Sequence, residues 1–197
     1  MKSDRSVRIL LTSICLFSWA SLSLLPTSAQ MSPMPTTSSP SQTNSTSEQG
    51  DSNSVNTIDR QFATKAAQSD MTEIKTSQLA LRKSKNPQVL SYAREMIQAH
   101  TDSTNKLKPI VAQLNLAMPK SLGSENQALV NRLSRLSGTQ FDREYRTGQA
   151  KGHAKTQAAF ETELQQGQNS DLQAFASEIL PVVTMHLKMI QKATAMR

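Results

Sequence analysis

Cysteine is nearly absent from this chain. Its one copy, Cys15, lies in an apolar stretch near the amino terminus. A chain that loses that stretch has no disulfide available, so its fold must stand on an apolar core alone. Aromatic residues make up only 4% of the sequence and do not interleave with basic residues. That excludes the stacking surface of a nucleic-acid binder. Glycine and proline become sparse beyond Thr57, and no strand-like alternation of useful length appears. There is no sharp internal repeat, which excludes a solenoid. No Ser–His–Asp order, nucleophile elbow or phosphate loop is visible, so nothing points to hydrolytic catalysis. Histidine occurs three times, as His100, His153 and His186.

What is present begins with a leader. Lys2, Arg5 and Arg8 precede a mainly apolar stretch from Ile9 to Leu25, and "LPTSAQ" follows with Thr27 and Ala29 at the small positions. This three-part layout predicts a secretory signal peptide over 1–29, cleaved after Ala29. The alternative is an uncleaved anchor. Against it, Thr12, Ser13, Ser18, Ser21 and Ser23 interrupt the stretch, which is also shorter than the ~20 residues of a spanning helix. Ile14 stands where a lipoprotein signal places a small residue, so lipidation of Cys15 is not expected. The expected location is periplasmic or secreted.

Residues 30–56 are dominated by Ser, Thr, Pro, Asn and Gln, with Met31, Met34 and Val55 as their apolar members. Such a segment buries too little surface to offset its ordering entropy, and it reads as a disordered linker. The whole chain carries a net charge of +7. Removing Lys2, Asp4, Arg5 and Arg8 lowers it by two. A dispersed positive surplus of that size supports at most a loose association with an anionic envelope or membrane surface. It names no protein partner.

From residue 57 to 197 apolar residues recur at helical spacing. Helices are expected over about Ile58–Lys83, Pro87–Leu114, Ser124–Leu136, Thr139–Gln166 and Ser170–Thr194, with Ser124 capping the third and Asn169 or Ser170 the fifth. Pro87 suits a first helical turn, and Gly167 suits a C′ position. Four helices are about 40 Å long at ~1.5 Å per residue. Two tight hairpins joined by a longer connection predict an all-α four-helix bundle with one additional short helix. Pro109 and Pro181 fall inside helices and should each remove one backbone hydrogen bond.

Projecting each helix at ~100° per residue defines its apolar face. His100 lies at the centre of the stripe Val89, Ala93, Met96, Ile97, Leu107, Val111 and Leu114. His186 lies centrally among Leu172, Phe175, Ile179, Val183, Leu187 and Ile190. Glu73 falls on the face of Phe62, Ala63, Ala66, Ile74, Ala80 and Leu81. His153 falls toward one edge of the face of Phe141, Tyr145, Ala159 and Phe160, which Gly148 and Gly152 also line. All four polar residues stand ~15–24 Å from their hairpin loops. Glu73, His100, His153 and His186 should therefore meet in one layer, each from a different helix.

Two readings of that layer stand side by side. It can be the ligand set of one divalent metal ion, Zn, Fe, Mn or Cu. It can instead be a hydrogen-bonded polar layer, joined by Tyr145, that fixes helix register with no cofactor. Di-iron carboxylate chemistry is excluded. It needs Glu-x-x-His pairs, and Ile97, Ala150 and Val183 stand three residues before the histidines. Met71, Met96, Met185 and Met189 lie on or near helix faces as core filling, with no dense Met-x-Met run.

The stretches "FATKAAQSDMTEIKTSQLALRKSKNPQV", "MIQAHTDSTNKL", "GTQFDREY", "GHAKTQAAFE" and "LQAFASEILPVVTMHL" occur in that order. Together they resemble the exported bacterial proteins grouped as domain of unknown function 4142, over about Asp59 to Ile190. The resemblance implies a ferritin-like bundle. It places the family's glutamate at Glu73, its histidines at His100, His153 and His186, its Phe-Asp at Phe141–Asp142, its tyrosine at Tyr145 and its Leu-Pro at Leu180–Pro181. Many members carry Asp just before the first two histidines. Here Ala99 and Gly152 stand instead, so the resemblance offers those rings no neighbouring carboxylate. It supplies no biochemical role. The functional expectation is an exported bundle binding a metal or small ligand through the His/Glu cluster. The alternatives are a mononuclear metal oxidoreductase and a non-catalytic envelope interaction or stress protein with a structural polar layer.

Overall fold

Residues 54–195 are described by the computed structural model. The leader expected at 1–29 and all but the last three residues of the linker expected at 30–56 lie outside the described residues. Five helices form, α1 (Thr57–Lys83), α2 (Pro87–Gln113), α3 (Ser124–Ser134), α4 (Gly138–Gln166) and α5 (Ser170–Ala195). Among the described residues there is no strand, and no helix is long and apolar enough to cross a membrane.

The helix ends are set by short polar side chains. Asn56, the last residue of the expected linker, is in fact the N-cap of α1. Its Oδ1 accepts from the Asp59 amide at 2.9 Å, and Asp59 Oδ2 accepts from the Asn56 amide at 2.6 Å. At the α1–α2 turn, Asn86 Oδ1 accepts from the Gln88 and Val89 amides ahead of Pro87. Lys83 Nζ donates to the carbonyls of Ser134 and Leu136, fastening the end of α1 to the end of α3. Asn169 Oδ1 accepts from the Leu172 amide and so caps α5. Ser124 does not cap α3. Gly123 holds that position at φ +80°, where a side-chain-bearing residue is strained. Gly167 closes α4 with an extended backbone rather than a left-handed one.

Two apolar clusters fill the bundle. One contains Phe62, Leu107, Val111, Phe160, Leu172 and Phe175. The other contains Leu79, Val89, Met96, Phe141, Tyr145 and Ile190. The first cluster joins the starts of α1 and α5 to the ends of α2 and α4. Hence α1 and α5 run one way, and α2 and α4 run the other. The chain must return along the bundle between α2 and α4. Residues 114–137 make that return and carry α3, which packs on α1 and α4. Two hairpins with one long crossover are the ferritin-like connection.

The expected faces hold with one local change. Leu81 is 37% exposed, and Leu79 is the buried leucine on that turn of α1. His153, expected toward an edge, is fully buried. Between the two apolar clusters lies a buried polar layer of Asp70, Glu73, His100, Ser103, Gln149, His153 and His186.

Candidate metal centre

Each long helix delivers part of this layer. The stripe position between Met96 and Leu107 on α2 points His100 inward, and the one between Val183 and Ile190 on α5 points His186 inward. On α4, His153 occupies the turn between Tyr145 and Phe160. The three rings form a nearly equilateral triangle, with centroids 5.6 Å (His100–His153), 5.9 Å (His100–His186) and 5.5 Å (His153–His186) apart. One ring nitrogen from each histidine lies within 4.8 Å of the other two.

The hydrogen bonds sort the nitrogens. His100 Nδ1 lies 2.8 Å from Asp70 Oδ1, and Thr104 donates to the other oxygen of the same carboxyl at 3.1 Å. His153 Nδ1 lies 3.0 Å from the Gln149 carbonyl, a pure acceptor, so that nitrogen carries the hydrogen. In both rings the opposite nitrogen, Nε2, is buried with no partner, and His186 has no partner at either nitrogen. Buried polar atoms ordinarily find partners. An imidazole whose Nδ1–H is tied to a carboxylate or carbonyl presents an Nε2 lone pair, as metal-bound histidines do.

The ring centroids are spaced much as they are around an ion, while the nitrogens, within 4.8 Å of one another, must draw together to the ~3.4–3.6 Å that a bound metal needs. A metal ~2.1 Å from each nitrogen, with the ring centre ~1.2 Å further out, places centroids about 5.4 Å apart at tetrahedral angles and about 5.7 Å apart at trigonal ones. The 5.5 and 5.6 Å separations fall inside that interval, and the 5.9 Å one lies just above it.

Glu73 is buried in the same layer but stands apart from the three nitrogens. Its Oε1 is 3.8 Å from His153 Nδ1, on the edge of the ring that faces Gln149. Its Oε2 has no partner. Tyr145, expected to join the layer, instead hydrogen-bonds Ser77 at 2.8 Å inside one apolar cluster.

Burial sets the electrostatics. It pushes the His153 ring down to about 3 and the His186 ring down to about 4, with the charge of His100 adding to both. Burial acts on His100 too, but the Asp70 hydrogen bond and the charges of Glu73 and Asp70 outweigh it and hold that ring above its ordinary value. Burial raises Glu73 to about 7 against the pull of His100.

All four sequence-selected residues meet in one layer. Sequence reasoning missed Asp70, Gln149 and Glu95. Asp70 lies three residues before Glu73, on the same face of α1, so the helical projection contains the signal. Gln149 acts through its backbone carbonyl, for which no side-chain pattern exists. Glu95 Oε1 lies 4.0 Å from His186 Nε2 from a half-exposed position on α2, off the apolar stripe.

A protein-family model described as "Domain of unknown function (DUF4142)" matches residues 44–193. Among solved structures, the crystal structure of a DUF305 fragment from Deinococcus radiodurans is similar, with a TM-score of 0.65 at 14% identity, covering 73% of this chain and 99% of that one. At that identity the likeness speaks for the fold alone. No curated protein matches the chain.

Proposed function

The chain belongs to the family described as domain of unknown function DUF4142, and on its histidine triangle we propose that it is an exported bundle that holds one divalent metal ion. The observation that carries this reading is the convergence of three buried imidazoles, two of them hydrogen-bonded at Nδ1, on nitrogens that nothing else satisfies. His100, His153 and His186 are the ligands. Asp70 and the Gln149 carbonyl orient two of the rings. Glu73 flanks His153 rather than joining the ligand set. A neutral imidazole set favours Zn²⁺ or Cu²⁺ over Mn²⁺, which prefers oxygen donors. Three protein ligands also leave a fourth position open to water or a small ligand. Export rests on the leader at 1–29, with cleavage after Ala29.

One observation favours the rival reading. Asp70 and Glu73 stabilise a proton on His100, as a structural ion-paired layer would. Thermal melts of chelator-stripped protein separate the two. Zn²⁺ or Cu²⁺ at a hundredfold excess over Kd should stabilise the fold by about 2.7 kcal/mol. His100→Ala, His153→Ala and His186→Ala should each abolish that gain. Asp70→Asn should weaken metal binding roughly 10–100-fold, the usual cost of losing an orienting carboxylate. His100→Leu strands the buried Asp70 carboxyl and should lower the metal-free melting temperature under either reading, so the metal-dependent gain of the wild type decides between them. No response of the wild type to Zn²⁺, Cu²⁺, Fe²⁺ or Mn²⁺ would establish the structural layer instead.

A further inference from the structure

A cleft of ≈ 600 Å³ opens between α1, α3 and α4, within the ~300–1,000 Å³ range of sites that take small organic molecules. Its apolar lining comes from Phe62, Ala66, Leu122, Leu129, Ala159 and Phe160, and Lys65, Gln68, Glu125, Lys155 and Thr156 line it as well. Phe62 and Phe160 meet edge to face at 4.8 Å. On α4 the lining includes the bare backbone of Gly148 and Gly152, and on α1 it includes the nearly buried Glu73.

The glycines shape that part of the lining. A Cβ at Gly148 would come within 2.9 Å of the Leu129 side chain, so the bare position lets α3 lean onto α4. A Cβ at Gly152 would sit 3.0 Å from Glu73 Oε1, so the second bare position leaves the carboxyl its place. Glu73 is only 4% exposed, and its Oε2 has no hydrogen-bond partner. A nearly buried carboxyl in the wall of this cleft, with Oε1 beside the bare Gly152, calls for one complementary polar group on a largely apolar molecule.

We propose that this cleft binds a phenol-type ligand, an apolar ring system bearing one hydroxyl that hydrogen-bonds Glu73. The aromatic pair accommodates the ring system, and the glycine strip lets the hydroxyl reach the carboxyl. A hydroxyl both donates and accepts, so it matches the carboxyl whichever oxygen faces it. This site adjoins the histidine triangle at Glu73, whose Oε1 is 3.8 Å from His153 Nδ1, but its walls are built by α1, α3 and α4, whereas His100 and His186 stand on α2 and α5.

A matched pair of probes tests it, 2-naphthol and naphthalene, titrated into chelator-stripped full-length exported protein. Probe fluorescence gives the readout, since the chain's one tryptophan, Trp19, lies in the leader. 2-Naphthol should bind at one site about tenfold more tightly than naphthalene, the worth of one hydrogen bond to a buried carboxyl. Glu73→Leu should erase the preference while leaving naphthalene binding in place. Glu73→Gln, which keeps an acceptor oxygen, should retain most of it. Ala159→Trp should block both probes with an unchanged helical circular dichroism spectrum. His186→Ala should leave naphthol binding unaltered even where it abolishes metal binding, so the two readings fail independently. No saturable binding by the wild type, or a hydroxyl preference that survives Glu73→Leu, overturns the proposal.

Discussion

Glu163 is completely buried and neither of its carboxyl oxygens meets a donor. Burial, reinforced by the neighbouring Asp59 carboxylate, pushes it up to about 8. Burial acts on Asp59 as well, but three backbone amides and Glu163 outweigh it and hold Asp59 below its ordinary value. The two neighbouring acids are thus shifted in opposite directions. An unfolded glutamate ionises near ~4.5, whereas buried Glu163 keeps its proton to about 8. The folded state then binds more protons across that window, and its stability falls as pH rises through it. His153 and His186 have the opposite sense, because their depressed rings favour the fold as pH rises toward ~6.5. Those contributions are common to wild type and Glu163→Gln and cancel in the difference. Glu163→Gln should therefore gain roughly 1–3 kcal/mol relative to wild type between pH 5 and pH 8. Urea unfolding at the two pH values checks this, and a difference that stays constant would show Glu163 to be already ionised in the fold.

Helix ends are where this bundle is fastened. Asp59 completes the cap of α1 and also accepts from the Gln168 and Asn169 amides at 3.0 and 3.2 Å, which lead into α5. Asn56 adds a bond from Nδ2 to the Gln166 carbonyl at 2.9 Å. Asn56→Ala should cost about 1 kcal/mol, the ordinary worth of an N-cap. Asp59→Ala strands three backbone amides and should cost more, about 2–4 kcal/mol by thermal or chemical melts. Equal losses would mean that the link to α5 contributes nothing. Gly167 belongs to the same corner. A Cβ there would lie 2.5 Å from Glu163 Oε1 and 2.6 Å from the Glu163 carbonyl. The helix boundaries were legible because turn residues and apolar periodicity act locally. The caps were less so. Asn56 looks like one more polar linker residue until Asp59 answers it, and Ser124 looks like a cap while Gly123 does the work through its backbone angle.

At the scale of the molecule, two apolar clusters hold a polar layer between them. Such a layer forms only if four helices align in depth and rotation together. Among the described residues the apolar core begins at Phe62, and residues 30–55 are mostly polar in composition. A chain beginning at Ser54 should therefore melt within about 2 °C of one beginning at Gln30, since small surface changes shift stability by only ~0.5 kcal/mol. A larger loss would assign the segment a packed role. In the exported protein, the intact mass should begin at Gln30, and a mass that includes Cys15 would point to a retained anchor.

The sequence by itself determined the all-α class, the number and span of the helices, and the fact that one glutamate and three histidines face inward at matching depth. Each follows from local periodicity, and periodicity survives in one dimension. The tertiary structure decided what those residues meet. It paired His100 with Asp70, which stands on another helix, and gave His153 a backbone carbonyl in place of a carboxylate. It set Glu73 beside the triangle and in the wall of a cleft whose third side, α3, reaches it only through the long crossover. It also brought Asp59, at the start of α1, against Glu163, at the end of α4. Distances between helices depend on how their side chains interlock, and no single helix carries that information.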